Sequence, residues 1–368
     1  LPARGTALGI ALLAAAVLHA KADNISGPEW VKTLEAARKE GSVVVAGPPG
    51  ALYRRAITSD WAKTFPDIKL DYSAGRGTQV VAKIVRERAA NLYNWDIFIA
   101  SVNPTLASFV PINALAPLRD ALLDPTTSDD KNWMGGFEAG FLDLGKKFFY
   151  SPTFSRGYLG FVNRDCISRE QLNKAADFKL PALKDKISWF DPFDPGAGSL
   201  STAVLNIVHG DDWLKDMFQN HGVTFSRDYK QMTDWLVSCA KPVAIGMNTD
   251  ALQMQQNGIG KNIEELVGAD YTRQWRKGGP GGGSSIGWFT KAPHPNAAKV
   301  YLSWYLSHDQ QQRFSELTKI NSRRADVKPV EPGHLLEPGM NYFNPDEEHG
   351  LYIQAMQARI KTWGIAER

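Results

Sequence analysis

The stretch from Ile68 to Ser101 constrains this chain more than any other. It opens on Ile-Lys-Leu-Asp-Tyr, where apolar and polar residues alternate at the period of a strand. Ser73-Ala-Gly-Arg-Gly-Thr78 follows, and Val80, Val81, Ile84, Val85 and Ala89 then recur at helical spacing. Ile97-Phe98-Ile99 closes the stretch as a short apolar run, as in a strand covered on both faces. Strand, glycine-flanked turn, helix and strand make a βαβ unit. Ligands of such sheets collect at the carboxyl ends of the strands, where the Ser73–Thr78 turn and Ala100-Ser101 fall. Gly75 and Gly77 allow close backbone approach, the helix start offers unpaired N–H groups, and Arg76 adds a planar fork of donors. That combination suits an anionic group. The alternative is a solvated arginine on an ordinary glycine turn.

The pattern extends on either side. Trp30, Val31, Leu34 and Ala37 mark a helix over Pro28–Glu40, and Val43–Ala46 reads as a buried strand. Gly47-Pro-Pro-Gly50 is a turn, and Leu52, Ala56, Ile57, Trp61 and Phe65 predict one helix after it. The result is β-α-β-α-β, the start of a doubly wound sheet. Strands are expected at Lys147–Ser151, Tyr158–Asn163, Ile187–Asp191, Val243–Gly246 and Ile286–Thr290. Ser168 and Gln171 form a capping box that predicts a helix there, and Asn248-Thr249-Asp250 can cap another reaching Gln256. Helical periods recur over Leu200–Val208, Trp213–His221, Tyr229–Cys239, Asn296–Phe314 and Glu347–Trp363. The glycine run Gly278–Ser285 reads as a flexible bridge.

A chain of 368 residues suggests about two domains. Its 42 basic and 39 acidic residues leave a formal charge of +3, too small to imply a nucleic-acid or membrane-surface partner. Leu1 to about Ala22 reads as an export signal, with Arg4 at the start, an apolar Ala7–Leu18 and the small-x-small Ala20-Lys21-Ala22. A buried N-terminal helix is the alternative. Export permits a disulfide between Cys166 and Cys239, but two separate buried thiols fit the sequence equally well. There is no zinc-ligand spacing, HExxH, Gly-x-Ser-x-Gly elbow or Walker loop, so no strong catalytic signature.

The chain resembles the extracellular solute-binding proteins of ABC importers, of the type 2 periplasmic binding fold. The nearest branch is that of the ferric-iron, phosphonate and thiamine binders. The resemblance rests on Glu29-Trp30 through Val43-Val44-Val45, the Gly75-Arg76-Gly77 turn, Trp95-Asp96-Ile97, Trp189-Phe-Asp-Pro with Pro195–Ser199, and Asn296-Ala-Ala-Lys through Trp304-Tyr305. It implies an α/β protein of two lobes joined by crossing hinge strands near Phe148–Thr153 and Ser284–Phe289. Residues 23–150 and 286–368 would form lobe one and residues 151–285 lobe two, after the signal at 1–22. It implies a periplasmic, monomeric, non-enzymatic protein with no cofactor, which delivers a small molecule to a membrane permease. The expected ligand contacts are Gly47, Pro48, Ser73, Gly75, Arg76, Gly77, Thr78 and Ser101, with Tyr150 near the hinge. From lobe two they are Asp194, Gly196, Ala197, Gly198, Ser199, Met247, Asn248 and Thr249.

One departure bears on the ligand. Iron-binding members carry adjacent tyrosines, because hard Fe(III) favours phenolate oxygen. This chain has no Tyr-Tyr pair, although Tyr150, Tyr158, Tyr229 and Tyr271 could converge in space. A carboxylate or phosphonate is therefore the expected solute, with ferric iron as the alternative. A secreted α/β hydrolase is the rival from another class, using a serine of Ser199–Ser201 with His209, a pair lacking an activating third group. Trp30, Trp61, Trp213, Trp235, Trp304 and Trp363 are expected in the core, while Trp189, Trp275 and Trp288 could line a cleft.

Overall fold

The computed structural model describes residues 27–365 except 76, 101, 194–195, 248–253, 256 and 281–282. The expected signal peptide, Arg76, Ser101, Asp194, Asn248 and Thr249 lie outside the described residues.

Two five-stranded sheets and a three-stranded ribbon organise the chain. In the first sheet, β1 (Ser42–Gly47) runs parallel to β2 (Lys69–Ala74) on one side and to β3 (Ile97–Ala100) on the other. β12 (Ser285–Phe289) pairs antiparallel with β3 and then with β4 (Leu115–Ala116). The alternation within β1 and β3 explains why the sheet is covered twice. Val43, Val45, Ile97 and Ile99 enter one core with Trp61, Tyr301 and Trp304, while Ala46, Phe98 and Ala100 enter another with Phe109 and Phe289. The helices α1 (Pro28–Glu40), α2 (Ala51–Thr58), α3 (Trp61–Thr64), α4 (Gly77–Ala89) and α5 (Val102–Phe109) follow in order between these strands.

The second sheet orders β10 (Ile263–Leu266), β6 (Gly160–Asn163), β9 (Val243–Ile245), β7 (Ile187–Phe190) and β8 (Thr224–Ser226). It too has a core on each face. One holds Val162, Ile187, Trp189, Ile245 and the apolar side of α6 (Ala197–Asn220); the other holds Phe161, Phe190, Ala244 and Met232 of α7 (Tyr229–Val237). Ile353, Met356 and Ile360 of the last helix, Glu347–Lys361, pack into the first of these. Cys166 and Cys239 are disulfide-bonded, with Cα atoms 6.0 Å apart. Against β12 of the first sheet, Tyr150 and Ile286 exchange backbone hydrogen bonds of 2.9 and 2.7 Å. Farther along the same crossing, β5 (Phe154–Arg156) pairs antiparallel with β11 (Trp275–Pro280), which carries β13 (Asn341–Phe343) on its other edge.

Several sequence expectations need correction. The start of the glycine run is strand and not bridge, because Gly278 and Gly279 lie in β11. A Cβ at Gly278 would sit 2.5 Å from the Phe154 ring and 2.8 Å from that of Tyr342, so those glycines admit close packing. Asn296–Phe314 is two helices, Pro295–Tyr305 and His308–Thr318, since Ser307 turns out of the helix and caps Gln310. The helix through Leu52 and Phe65 likewise breaks into α2 and α3. Ser168 N–H does donate to the side-chain oxygen of Gln171, yet only 3₁₀ turns follow, at Ala175–Lys179 and Pro181–Leu183. Pro181 cannot continue the hydrogen-bond ladder of a helix begun before it. Lys147–Ser151 forms only an isolated bridge pairing at Tyr150.

Candidate functional site

The carboxyl ends of β1, β2 and β3 converge on a cavity of about 260 Å³. Its lining follows from the three turns. Gly47, Pro48 and Pro49 come from the first, Gly75, Gly77 and Val80 from the second, Phe98, Ile99 and Ala100 from the third, and Gly283 closes it. Two of its glycines, Gly47 and Gly75, stand where packing leaves no room for a side chain. The Tyr72 ring lies across Gly47, where a Cβ would come within 2.5 Å of the phenol oxygen, and that oxygen donates to the Pro48 carbonyl at 2.6 Å. Burial of Tyr72 raises its pKa, so the phenol stays protonated and keeps donating. Val80 packs on the Cα of Gly75, whose N–H donates to the Gly47 carbonyl at 3.0 Å. Helices α2, α4 and α5 start beside these turns, with the positive ends of their dipoles toward the same end of the sheet.

The second sheet offers a matching end. β7 leads through Asp191 to Gly196, whose φ of 137° is open to glycine alone, and so into α6. A Cβ on Gly198 would meet the Asp191 and Phe190 carbonyls at 2.6 and 2.7 Å, and one on Gly246 would meet the Gly198 Cα at 2.7 Å. The first turn of α6 is thereby held against the ends of β7 and β9. Ser199 Oγ caps it, donating to the Gly196 carbonyl and accepting its N–H, both at 3.2 Å. The two ends face each other. Ser199 shares a second cavity of about 240 Å³ with Val102 and Leu106 of α5 and with Asp346 and Ile353 at the last helix. That helix is tied to both sides: Leu144 N–H donates to Glu347 at 2.7 Å, and Gln357 donates to the Pro192 carbonyl at 2.8 Å.

Of the expected contacts, Gly47, Pro48, Gly75 and Gly77 come together in one cavity, and Ser199 lies in the other. Ser73 and Thr78 are exposed near the first without lining it. Gly196 is half-buried at the opening of α6, while Ala197 and Gly198 are buried there. Two residues belong elsewhere. Tyr150 is fully buried, its ring stacked on Phe137 at 4.4 Å, because the crossing segment turns that side chain into the first core. Met247 is fully buried in the core beneath α7, where Thr233 donates to its sulfur. Trp189 is likewise core, its indole donating to Thr202 at 2.8 Å, and Trp275 and Trp288 are packed at the edges of the two cores.

The tyrosines considered as iron ligands occupy four places. Tyr150 is in the first core, Tyr158 bonds His334 at 3.0 Å, Tyr229 stacks on Phe190, and Tyr271 packs on Phe178. The hydrolase pair also fails on geometry. Ser201 and His209 sit on one helix eight positions apart, or about 12 Å of rise, and His209 stacks on Trp213 at 4.6 Å.

At the carboxyl end of the second sheet, Arg227 escaped the sequence reading, and Tyr229 entered it only as a possible iron ligand. Arg227, directly after β8, donates through Nε to the buried carboxylate of Asp191 at 2.7 Å, and its side chain remains 49% exposed. Tyr229, the first residue of α7, stacks on Phe190 with ring centroids 4.3 Å apart. The available signal was Asp228, which caps α7 by accepting from Lys230 and Gln231 N–H and so marks a strand-to-helix turn.

The model of the family described as bacterial extracellular solute-binding protein matches residues 47–312. No curated protein matches the chain. Among solved structures, the Trichodesmium protein IdiA (FutA), solved with iron and citrate, is similar at a TM-score of 0.64 and 13% identity. The match covers 89% of this chain and 100% of that one. An extracellular solute-binding protein from Bordetella parapertussis gives 0.66 at 11% identity, over 89% of this chain and 100% of its own. The Mannheimia haemolytica ferric iron-binding protein A, in an open conformation, gives 0.65 at 11%, covering 88% and 99%. At these identities the likeness is one of fold, that of two-lobed periplasmic binding proteins.

Proposed function

We propose, from the premise that this chain belongs to the bacterial extracellular solute-binding proteins, that it captures a small anionic organic solute between two lobes. The chain is the solute-binding component of an ABC transporter, a transport protein and not an enzyme. Its ligand, on this reading, is a carboxylate or phosphonate, which the closed lobes present to a membrane permease. The observation that carries it is the glycine-walled cavity at the carboxyl ends of β1, β2 and β3, faced across a gap by the start of α6. Backbone N–H groups at helix starts favour negative charge, and the glycines at 47, 75, 77 and 283, which lack Cβ atoms, let a ligand approach the backbone. Arg76, in the turn before α4, is assigned the ion pair with the ligand's acid group.

Lobe one then comprises residues from about 23 to 150 and from 286 onward, and lobe two residues 151–285. Closure between them is a hinge motion, driven by contacts the ligand makes only with the closed state. Export with cleavage near Ala22 belongs to the same reading. Ferric iron is the second reading, favoured by the ligands named for the Trichodesmium and Mannheimia proteins. Hard Fe(III) needs several clustered oxygens. The four separate tyrosine positions favour the organic anion, as does the lack, among the described residues, of any group of three His, Cys, Asp or Glu suited to a metal.

Small-angle scattering tests closure. Screening succinate, citrate, benzoate and methylphosphonate by thermal shift identifies a bound probe. Saturation with that probe should lower the radius of gyration. Full occupancy with an unchanged radius would contradict capture by closing lobes.

A further inference from the structure

We propose that the second cavity, between α5 and the last helix, is a site for a primary amine with a hydrocarbon body. It is separate from the glycine-walled cavity, and the inference stands whichever solute the lobes capture. The space is left open by the sequence of the last helix. Asp346, Gly350, Ile353 and Gln357 recur at helical spacing, so one stripe of that helix lines the cavity. Gly350 belongs to the helical ladder, its N–H donating to the Asp346 carbonyl at 2.9 Å. Glycine is the poorest helix former after proline, so one inside a helix asks for a packing or a functional reason. Packing supplies none here, because a Cβ at Gly350 would meet no atom within 4 Å. At Gly47 and Gly198, by contrast, a Cβ would come within 2.5 and 2.6 Å of a neighbour. What the absent side chain at Gly350 leaves is volume, and Ala107 of α5 adds to it.

The lining names the class of ligand. At about 240 Å³ the cavity exceeds the ~150 Å³ of an apolar cavity that takes up benzene. Val102 and Leu106 of α5 and Ile353 of the last helix are almost wholly buried and give it an apolar floor. Leu351, 53% exposed, marks where it meets solvent. The polar part of the lining is rich in acceptors. Asp346 accepts His349 N–H at 2.9 Å and meets its Nδ1 at 2.8 Å, both through Oδ1. Glu347 accepts Leu144 N–H through Oε2 at 2.7 Å. Each carboxylate thus keeps its other oxygen for a ligand, and no lysine or arginine lines the cavity among the described residues. A helix start accounts for two acids by itself, but not for the open apolar volume one turn farther on. A primary ammonium brings up to three donors and the opposite charge, while its hydrocarbon body covers the floor. A carboxylate or phosphonate would be repelled by Asp346 and Glu347, which keeps the proposed solute out of this site.

Calorimetry on the whole mature chain tests this with hexylamine and benzylamine against benzyl alcohol, methylamine and benzoate. The expected result is one amine bound per chain, with benzyl alcohol and methylamine weaker by about tenfold or more and benzoate not competing for the amine's site. Gly350→Leu installs a good helix former that fills the space, so the melting temperature should hold or rise while amine binding falls by about tenfold or more. Asp346→Asn combined with Glu347→Gln keeps the helix cap and the acceptor for Leu144 N–H, and should weaken the amine by a similar factor. If Gly350→Leu does not fold, this second variant decides. Failure of both amines to bind would overturn the inference and leave the anionic-solute reading standing. Amine binding indifferent to Gly350→Leu, or to the paired acid substitutions, would overturn it too. Benzyl alcohol bound as tightly as benzylamine would do the same, since charge would then play no part.

Discussion

Replacing Lys277 by methionine should stabilise the protein. Lys277 lies on β11 with its stem packed on the Cα of Gly157, and it is only 6% exposed. Its ammonium has no hydrogen-bond partner among the described residues, whereas other buried charges do: Asp96 accepts from Val44 and His294, and Arg324 pairs with Asp326. Burial alone pushes the Lys277 pKa down from 10.5 to about 8. The unfolded chain therefore keeps this proton to higher pH than the folded one. Below pH 8 both states are protonated and the folded state bears the full cost; between about 8 and 10.5 the cost fades as pH rises. The difference, 10.5 − 8, at 1.36 kcal/mol per unit is on the order of 3 kcal/mol. For a chain of 368 residues that is roughly 4 °C in melting temperature. Urea unfolding of both proteins at pH 7 and pH 10 measures it. Lys277→Met should be more stable at pH 7, by an amount that shrinks toward pH 10. A variant less stable at both, or a pH-independent difference, would refute the argument from desolvation.

Reduction of Cys166–Cys239, or replacing both by serine, should lower stability by about 4 kcal/mol, since the bond closes a loop of 73 positions. Melting with and without reductant checks this, and unchanged melting would show the bond to be dispensable. Tyr150→Phe removes a buried hydroxyl without a partner among the described residues, so stability should hold or rise by ~1 kcal/mol while affinity for any bound probe stays unchanged. A loss of affinity would return Tyr150 to the cleft.

The first sheet was legible because its strands and the helix between them carry clear apolar patterns. Ser42–Gly47 and Ile97–Ala100 are apolar on both faces, and α4 has a full stripe from Val80 to Ala89. What failed needed tertiary contacts. Glycines at 278 and 279 look like linker until the rings of Phe154 and Tyr342 are seen against the first and that of Pro345 against the second. Position at the end of a strand does not reveal which way a side chain turns, so Met247 read as cleft and lies in the core. β8 is only three residues long, too short to show a period, and Arg227 just beyond it went unnoticed. Candidate residues on backbone turns were easier to place, because Gly47, Gly75 and Gly77 line the cavity without a side-chain direction to be guessed.

The central claim is that an anionic organic molecule occupies the cleft. Native mass spectrometry of protein isolated from its own exporting cells, paired with metal analysis of the same sample, tests it most directly. The account predicts one added mass matching an organic acid, lost on denaturation, with no stoichiometric iron. One iron per chain without an organic acid, or an uncharged solute in its place, would contradict it.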